Sequence, residues 1–315
     1  MKLGRTRAGT LVLAAALALG ACSDNPVSPD TITPAPPPTT IPAAGGYSIT
    51  LRYLGPITPR QQQAVTSAVA RWQSVITRDL PDVNLNVPAG ACFETQPAIN
   101  ERIDDLLIFV EFADIDGPGK VLGEAGPCYI RGESSLPLVG QLRLDAADLA
   151  MMEAQGTLDD VVLHEIGHVL GIGTLWADRK LVMGSGGADP QFVGSSTVAA
   201  YRAMGGGAQS TVPVENTGAA GTRDGHWRES VFGNELMTGW IGIGGNPMSA
   251  LTIASLEDLG YTANQSAASP YTINRLFAST QSSQSDSRVR YINLHGQEKI
   301  KRPKFRVDRH GRVHQ

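Results

Sequence analysis

Apolar and polar residues alternate from 48 to 54, as in a strand with one buried face. From 59 to 77 the period changes to that of a helix, with Val65, Ala68, Val69, Trp72 and Ile76 on one side. Thr58 stands where a helix cap belongs and Pro59 suits the first turn. A strongly apolar run at 106–112 predicts a strand, and 121–130 and 138–144 predict two more. The next periodic segment, starting at Val161, is apolar on most sides through Val162, Leu163, Ile166, Val169 and Leu170, so it predicts a buried helix. Asp159 and Asp160 at its start complement the helix dipole. Glycine clusters at 184–187, 205–207 and 242–245 then punctuate a loop-rich stretch with a short helix over 197–204. A closing helix over 249–258 ends at Gly260. Strands concentrated ahead of the buried helix give an α+β class: a mixed twisted sheet backed by two helices, followed by loops.

The buried helix carries chemistry that a core helix does not need. His164-Glu165-Ile166-Gly167-His168 places two imidazoles four residues apart, on one helical face, with a carboxylate beside them. Buried polar groups of this kind need partners, and a metal ion is the partner that suits the spacing. A catalytic zinc takes three protein ligands and keeps one position open. The compact pattern HExxHxxGxxH would supply the third ligand six residues after the second histidine; Gly171 is in place, but position 174 is Thr174, a poor ligand. The chain has six histidines, and after His168 the next is His226, with His295, His310 and His314 in a terminal tail. His226 is the leading candidate by elimination. The other reading is a loop histidine that binds no metal.

These residues resemble the leishmanolysin family of metzincin zinc metallopeptidases. The resemblance rests on the run from Leu163 to Gly173, an insertion of some fifty residues, His226, then Asn234-Glu235-Leu236-Met237, and the stretch from Ala250 to Tyr261. It is best between residues 159 and 261, weak in the first hundred, and lacks the many cysteines of eukaryotic members, so it suggests a trimmed bacterial-type relative. It implies His164, His168 and His226 as zinc ligands, Glu165 as general base, Gly171 as the turn after the metal helix, and Met237, eleven residues past His226, as the floor of the site. It also implies an N-terminal lobe at about 47–173 and a C-terminal lobe at about 174–280 with the active-site cleft between them. A sheet edge there would bind substrate as an added strand. The implied activity is hydrolysis of peptide bonds in protein or peptide substrates, with one catalytic Zn2+. A structural calcium ion has no specific support. Met237 also reads simply as a core methionine.

The N-terminus bears on location. Lys2, Arg5 and Arg7 precede an apolar stretch from Thr10 to Leu19 that is too short for a permanent span and reads as a secretory signal. Leu19-Gly20-Ala21-Cys22 resembles a bacterial lipobox, which would make residues 1–21 a signal peptide and Cys22 the lipidated first residue of the mature chain. Ser23 after it favours, by resemblance to lipoprotein sorting, the outer membrane, facing the periplasm or the cell surface. An ordinary signal peptide cut nearby is the alternative. Residues 22–46 are rich in Pro, Thr, Ser and Ala and read as a solvated tether. The two remaining cysteines, Cys92 and Cys128, would pair in an oxidising compartment; otherwise they are buried free thiols.

The folded region, 47–280, suits a monomeric peptidase, and the tail 281–315 differs from it. The tail has nine Lys or Arg against three acidic residues, a formal +6 on a chain whose net charge is −4. Such a tail could meet anionic headgroups or polysaccharide, or fold back on the acidic body. Nothing supports nucleic-acid binding. Residues 288–294 and 304–313 alternate enough to form a terminal hairpin. Asp224, Glu229, Glu235 and Asp258 read as solvated surface charge, with a partner of a site histidine or a calcium ligand as the other readings. Two functions from different classes remain: a lipid-anchored zinc endopeptidase, or a non-catalytic surface lipoprotein, such as an adhesin, built on a metalloprotease scaffold.

Overall fold

The computed structural model describes Met1 and residues 33–41, 46–219, 221–273, 291–294 and 296–315. The signal segment, Cys22, most of the tether, the first ten residues of the tail and His295 lie outside the described residues. Along the chain run β1 (Thr39–Ile41), β2 (Ile49–Tyr53), α1 (Pro59–Val75), β3 (Val83–Val87), β4 (Ile99–Ile103), β5 (Leu106–Ala113), β6 (Gly123–Arg131), β7 (Pro137–Asp145), α2 (Ala146–Gln155) and α3 (Leu158–Val169). There follow β8 (Val182–Met183), β9 (Gln191–Phe192), α4 (Ser195–Tyr201), β10 (Val212–Pro213), α5 (Glu229–Phe232), β11 (Trp240–Gly242) and α6 (Ala250–Leu259). Four short strands close the chain: β12 (Tyr291–Asn293), β13 (Glu298–Ile300), β14 (Phe305–Val307) and β15 (Val313–His314). Among the described residues no helix is long and apolar enough to cross a membrane.

The central sheet runs β1-β2-β5-β7-β6-β14-β15, with β13 also on β6. It is mixed: β2, β5 and β7 are parallel neighbours, and β6 lies antiparallel to β7. β5 shows no alternation because both of its faces are covered. Leu106, Ile108 and Val110 join the main core with Trp72 of α1 and Ile166 of α3, while Leu107 and Phe109 join a second cluster under the β3–β4 hairpin. That second cluster holds Cys92 and Cys128, which form a disulfide with Cα atoms 5.8 Å apart. The hairpin and α2 were not visible in the hydrophobic pattern.

Local chemistry fixes the helices that carry the site. Thr58 and Gln61 form a reciprocal capping box at the start of α1: Gln61 N–H donates to Thr58 Oγ1 at 3.2 Å, and Thr58 N–H to Gln61 Oε1 at 2.9 Å. α1 packs on α3, tied by the Arg60–Asp159 ion pair and by Trp72 Nε1–H donating to Leu163 O at 2.9 Å. α3 lies close on the sheet because two strand positions lack side chains. A Cβ at Gly140 would meet Val169 Cγ1 at 2.4 Å, and one at Gly123 would meet Glu165 Oε1 at 2.6 Å.

Several expectations change. Residues 39–41, read as solvated tether, add the edge strand β1 antiparallel to β2. The short helix expected at 197–204 is α4, which begins at Ser195 and passes into a wider π turn at 202–206. The expected terminal hairpin forms only between β14 and β15; Tyr291–Asn293 pairs instead with β11, because the partner that buries Ile292 is across the body and not in the tail.

Candidate metal centre

α3 delivers His164, Glu165 and His168, all without solvent exposure. His226 arrives from the loop before α5, also fully buried. The three Nε2 atoms form a triangle with edges of 3.0, 3.1 and 3.1 Å. Two nitrogens on one tetrahedral zinc would stand about 3.3 Å apart, so the triangle is close to a ligand set.

The backs of the rings explain their aim. His164 Nδ1 faces Leu236 O at 2.7 Å, His168 Nδ1 faces Ile172 O at 2.8 Å, and His226 Nδ1 faces Thr222 O at 2.9 Å. A carbonyl can only accept, so each Nδ1 carries the proton and each Nε2 turns a lone pair inward. Gly171 makes one of these contacts available. At φ +109° it turns the chain out of the helix, a conformation glycine adopts without strain, and so presents Ile172 O to His168. Thr174 is no ligand; its hydroxyl donates to His168 O at 2.8 Å and closes the helix end.

A fourth side chain was not anticipated. Glu298, in the basic tail, is buried against the histidines, with Oε1 2.7 Å from His168 Nε2 and Oε2 3.0 Å from His226 Nε2 and 3.6 Å from His164 Nε2. Only its acidic character within a basic run set it apart in the sequence. Three imidazole nitrogens and two carboxylate oxygens thus converge in a dry site. These four residues could hold a metal ion. Burial works against charge on His226, yet Glu298 outweighs it and raises its pKa; against its own burial, Glu298 is held well below the usual carboxylate range by the imidazoles. On His164 burial prevails and lowers the pKa.

Glu165 lies beside this cluster with neither carboxylate oxygen hydrogen-bonded to the protein. Burial, then the charges of Glu298 and Glu124, push its carboxyl well above the ordinary range. Met237 sits under the metal helix, and Gly167 is what lets it approach: a Cβ there would meet Met237 Sδ at 2.8 Å.

The model of the leishmanolysin peptidases matches residues 95–276, more than half of the chain. The chain belongs to the leishmanolysin family. The family is one of zinc-dependent metallopeptidases, and its match spans His164, Glu165, His168, His226 and Met237. It ends before the segment that carries Glu298. A comparison with curated proteins returns no match.

The four acidic residues read as surface charge have structural partners. Glu235 is fully buried and accepts from Met237 N–H at 2.7 Å, Ser249 N–H at 3.1 Å, Ser249 Oγ at 2.7 Å and Thr252 Oγ1 at 2.7 Å. It therefore ties the Met237 turn to the start of α6, and Leu236, between them, accepts from His164. Asp258 receives Ser196 N–H and Thr197 N–H at the start of α4, and Asp224 receives Gly186 N–H. Burial pushes the half-buried Glu229 up to about 8, with Glu215 adding to the rise and Thr238 and His226 opposing it. Asp79, Asp104 and Asp105 also gather, but Asp105 already accepts Ser48 N–H and Leu80 N–H, and nothing there calls for an ion.

Proposed function

We propose that this leishmanolysin relative is a zinc endopeptidase in which His164, His168 and His226 hold the ion and Glu165 is the general base. The observation that carries the reading is the inward convergence of three Nε2 lone pairs, each set by a backbone carbonyl behind the ring, with the unpartnered Glu165 carboxylate alongside. When bound, zinc would polarise the scissile carbonyl and lower the pKa of water to about 7.

The protein's own share follows from the site. Buried walls exclude bulk water, which strengthens every charge interaction there. Glu165 takes the proton of the attacking water on its carboxylate and passes it to the leaving amine as the C–N bond breaks. Met237 touches no substrate in this scheme and supports the helix from below. We further propose that Cys22 anchors the protein by lipid to a bacterial envelope membrane, with the stretch ahead of Thr33, which pairs with Ile57, as spacer; the charged start, apolar core and Leu19-Gly20-Ala21-Cys22 support this.

One observation favours a second reading. A metal held by three histidines and Glu298 would have four protein ligands, as structural zinc sites do. The chain would then be a non-catalytic surface lipoprotein. Zinc content and chelator-sensitive casein cleavage separate the two, measured on wild type, H226A and E165Q, each with and without E298A. Zinc is expected at one per chain in wild type and E165Q and lost in H226A. In the E298A background, E165Q is expected to lower cleavage by about 10²–10⁴-fold. Unchanged cleavage on adding E165Q overturns the base assignment, and zinc without cleavage in every chain supports the scaffold.

A further inference from the structure

We infer that the C-terminal segment is an internal inhibitor of the metal site, and that Glu298 is a displaceable fourth ligand occupying the position an attacking water needs. This rests on the peptidase reading of the site.

The tail follows the free edge of β6 along its whole length. Glu298, Lys299 and Ile300 pair in parallel with Gly123, Glu124 and Ala125, and Phe305, Arg306 and Val307 pair with Tyr129, Ile130 and Arg131. Backbone bonds extend the pairing at both ends and across the middle: Leu122 N–H to Gln297 O at 2.6 Å, Lys301 N–H to Ala125 O at 2.7 Å, Lys304 N–H to Cys128 O at 2.9 Å, and Gly132 N–H to Val307 O at 2.7 Å. An exposed strand edge is the surface on which an extended peptide would add, so the tail covers the place where a substrate backbone could pair. Upstream, β12 pairs with β11, and Leu294 N–H donates to Gly239 O at 3.0 Å. The segment therefore spans from the β11 side of the centre to the β6 side.

The body is shaped to receive it. A Cβ at Gly126, φ +150°, would collide with Lys301 O at 2.1 Å. A Cβ at Gly225 would meet Ile300 Cδ1 at 2.8 Å, and one at Gly221 would meet Glu298 O at 3.0 Å. Gly221 and Gly225 belong to the loop that brings His226, so the same loop serves ligand and strap. Phe305 stacks on Tyr129 with centroids 4.9 Å apart, and Val307 is fully buried. Charge agrees as well: Lys299 and Lys301 lie 3.5 and 3.2 Å from the buried Glu124 carboxylate, which Arg143 also meets at 3.1 Å. The group presented to the imidazoles is a side-chain carboxylate, not a peptide carbonyl, so the strap fills the site without offering a bond to cut. Activation is then displacement or removal of the strap.

The test compares the full-length wild type with E298A, which removes the ligand, and K301P, which removes the Lys301 N–H and unzips the strand from outside the body. Three readouts are taken: the rate of zinc transfer to a coloured chelator, hydrogen exchange at Leu122, Gly132 and Lys304, and casein cleavage. Both variants are expected to release zinc and to cleave at least tenfold faster than wild type, with Leu122 and Lys304 protected in wild type and losing protection in K301P. Zinc release and cleavage equal in all three chains, or unprotected amides in wild type, overturns the strap. Faster zinc release in both variants with cleavage in none overturns the peptidase reading but leaves Glu298 a ligand.

Discussion

His164 and His168 reach the candidate metal centre by helix geometry alone, whereas His226, 58 residues beyond His168, reaches it only because a long loop is pinned from several sides. In α3 the spacing of four residues fixes both rings on one face, and a single turn at Gly171 supplies the carbonyl that aims His168. The His226 side has no such short-range rule. Its ring is aimed by Thr222 O, its backbone N–H neighbour Trp227 is held by Met237 O at 2.9 Å, and Met237 in turn depends on Glu235. One half of the site is thus built by local periodicity and the other by a buried polar network. The lesson is that the two halves should fail differently.

The most disruptive way to expose that difference is Glu235→Ala, which strips the acceptor from four donors in a dry site. A loss of about 3–5 kcal/mol is expected in denaturant unfolding, with zinc affinity falling in parallel. Intact zinc binding in a folded E235A protein would show that the His226 side does not depend on this network. The matching change on the helical side is milder. Thr174→Val removes one hydrogen bond to His168 O, so a loss of about 1 kcal/mol is expected, with zinc stoichiometry unchanged.

The smallest effect is a pH slope. An unfolded Glu titrates near 4.5 and Glu229 in the fold at about 8, so between these values the native state holds a proton that the unfolded state has lost. The contribution of this group is complete below the lower value and is lost as pH rises toward the upper one. Glu229→Gln should therefore flatten the fall of Tm between about pH 5 and pH 8; an identical slope in both proteins would place the titration elsewhere.

Much of the sheet and both of its main helices could be read in advance, because period and caps are local. Thr58 and Pro59 marked α1, the apolar runs marked β5, β6 and β7, and Ser249 with Gly260 bracketed α6. β5 could be placed but not explained, since only the assembled fold shows that the β3–β4 hairpin covers its second face. β1 and the hairpin themselves escaped notice because a short strand shows its purpose only beside its partner.

At the site, the sequence by itself put His164 and His168 on one face with Glu165 beside them, since four residues of helix return a side chain to the same face whatever surrounds it, while the turn at Gly171 was read from the family pattern. Elimination and family resemblance pointed to His226 and Met237. Only tertiary structure decided that Glu235 is an internal tie and not a surface charge, and that Glu298, inside a run of cations, lies on the imidazoles. The reason is physical: a carboxylate's role depends on the dielectric and the donors around it, and those are supplied by residues far away in the chain.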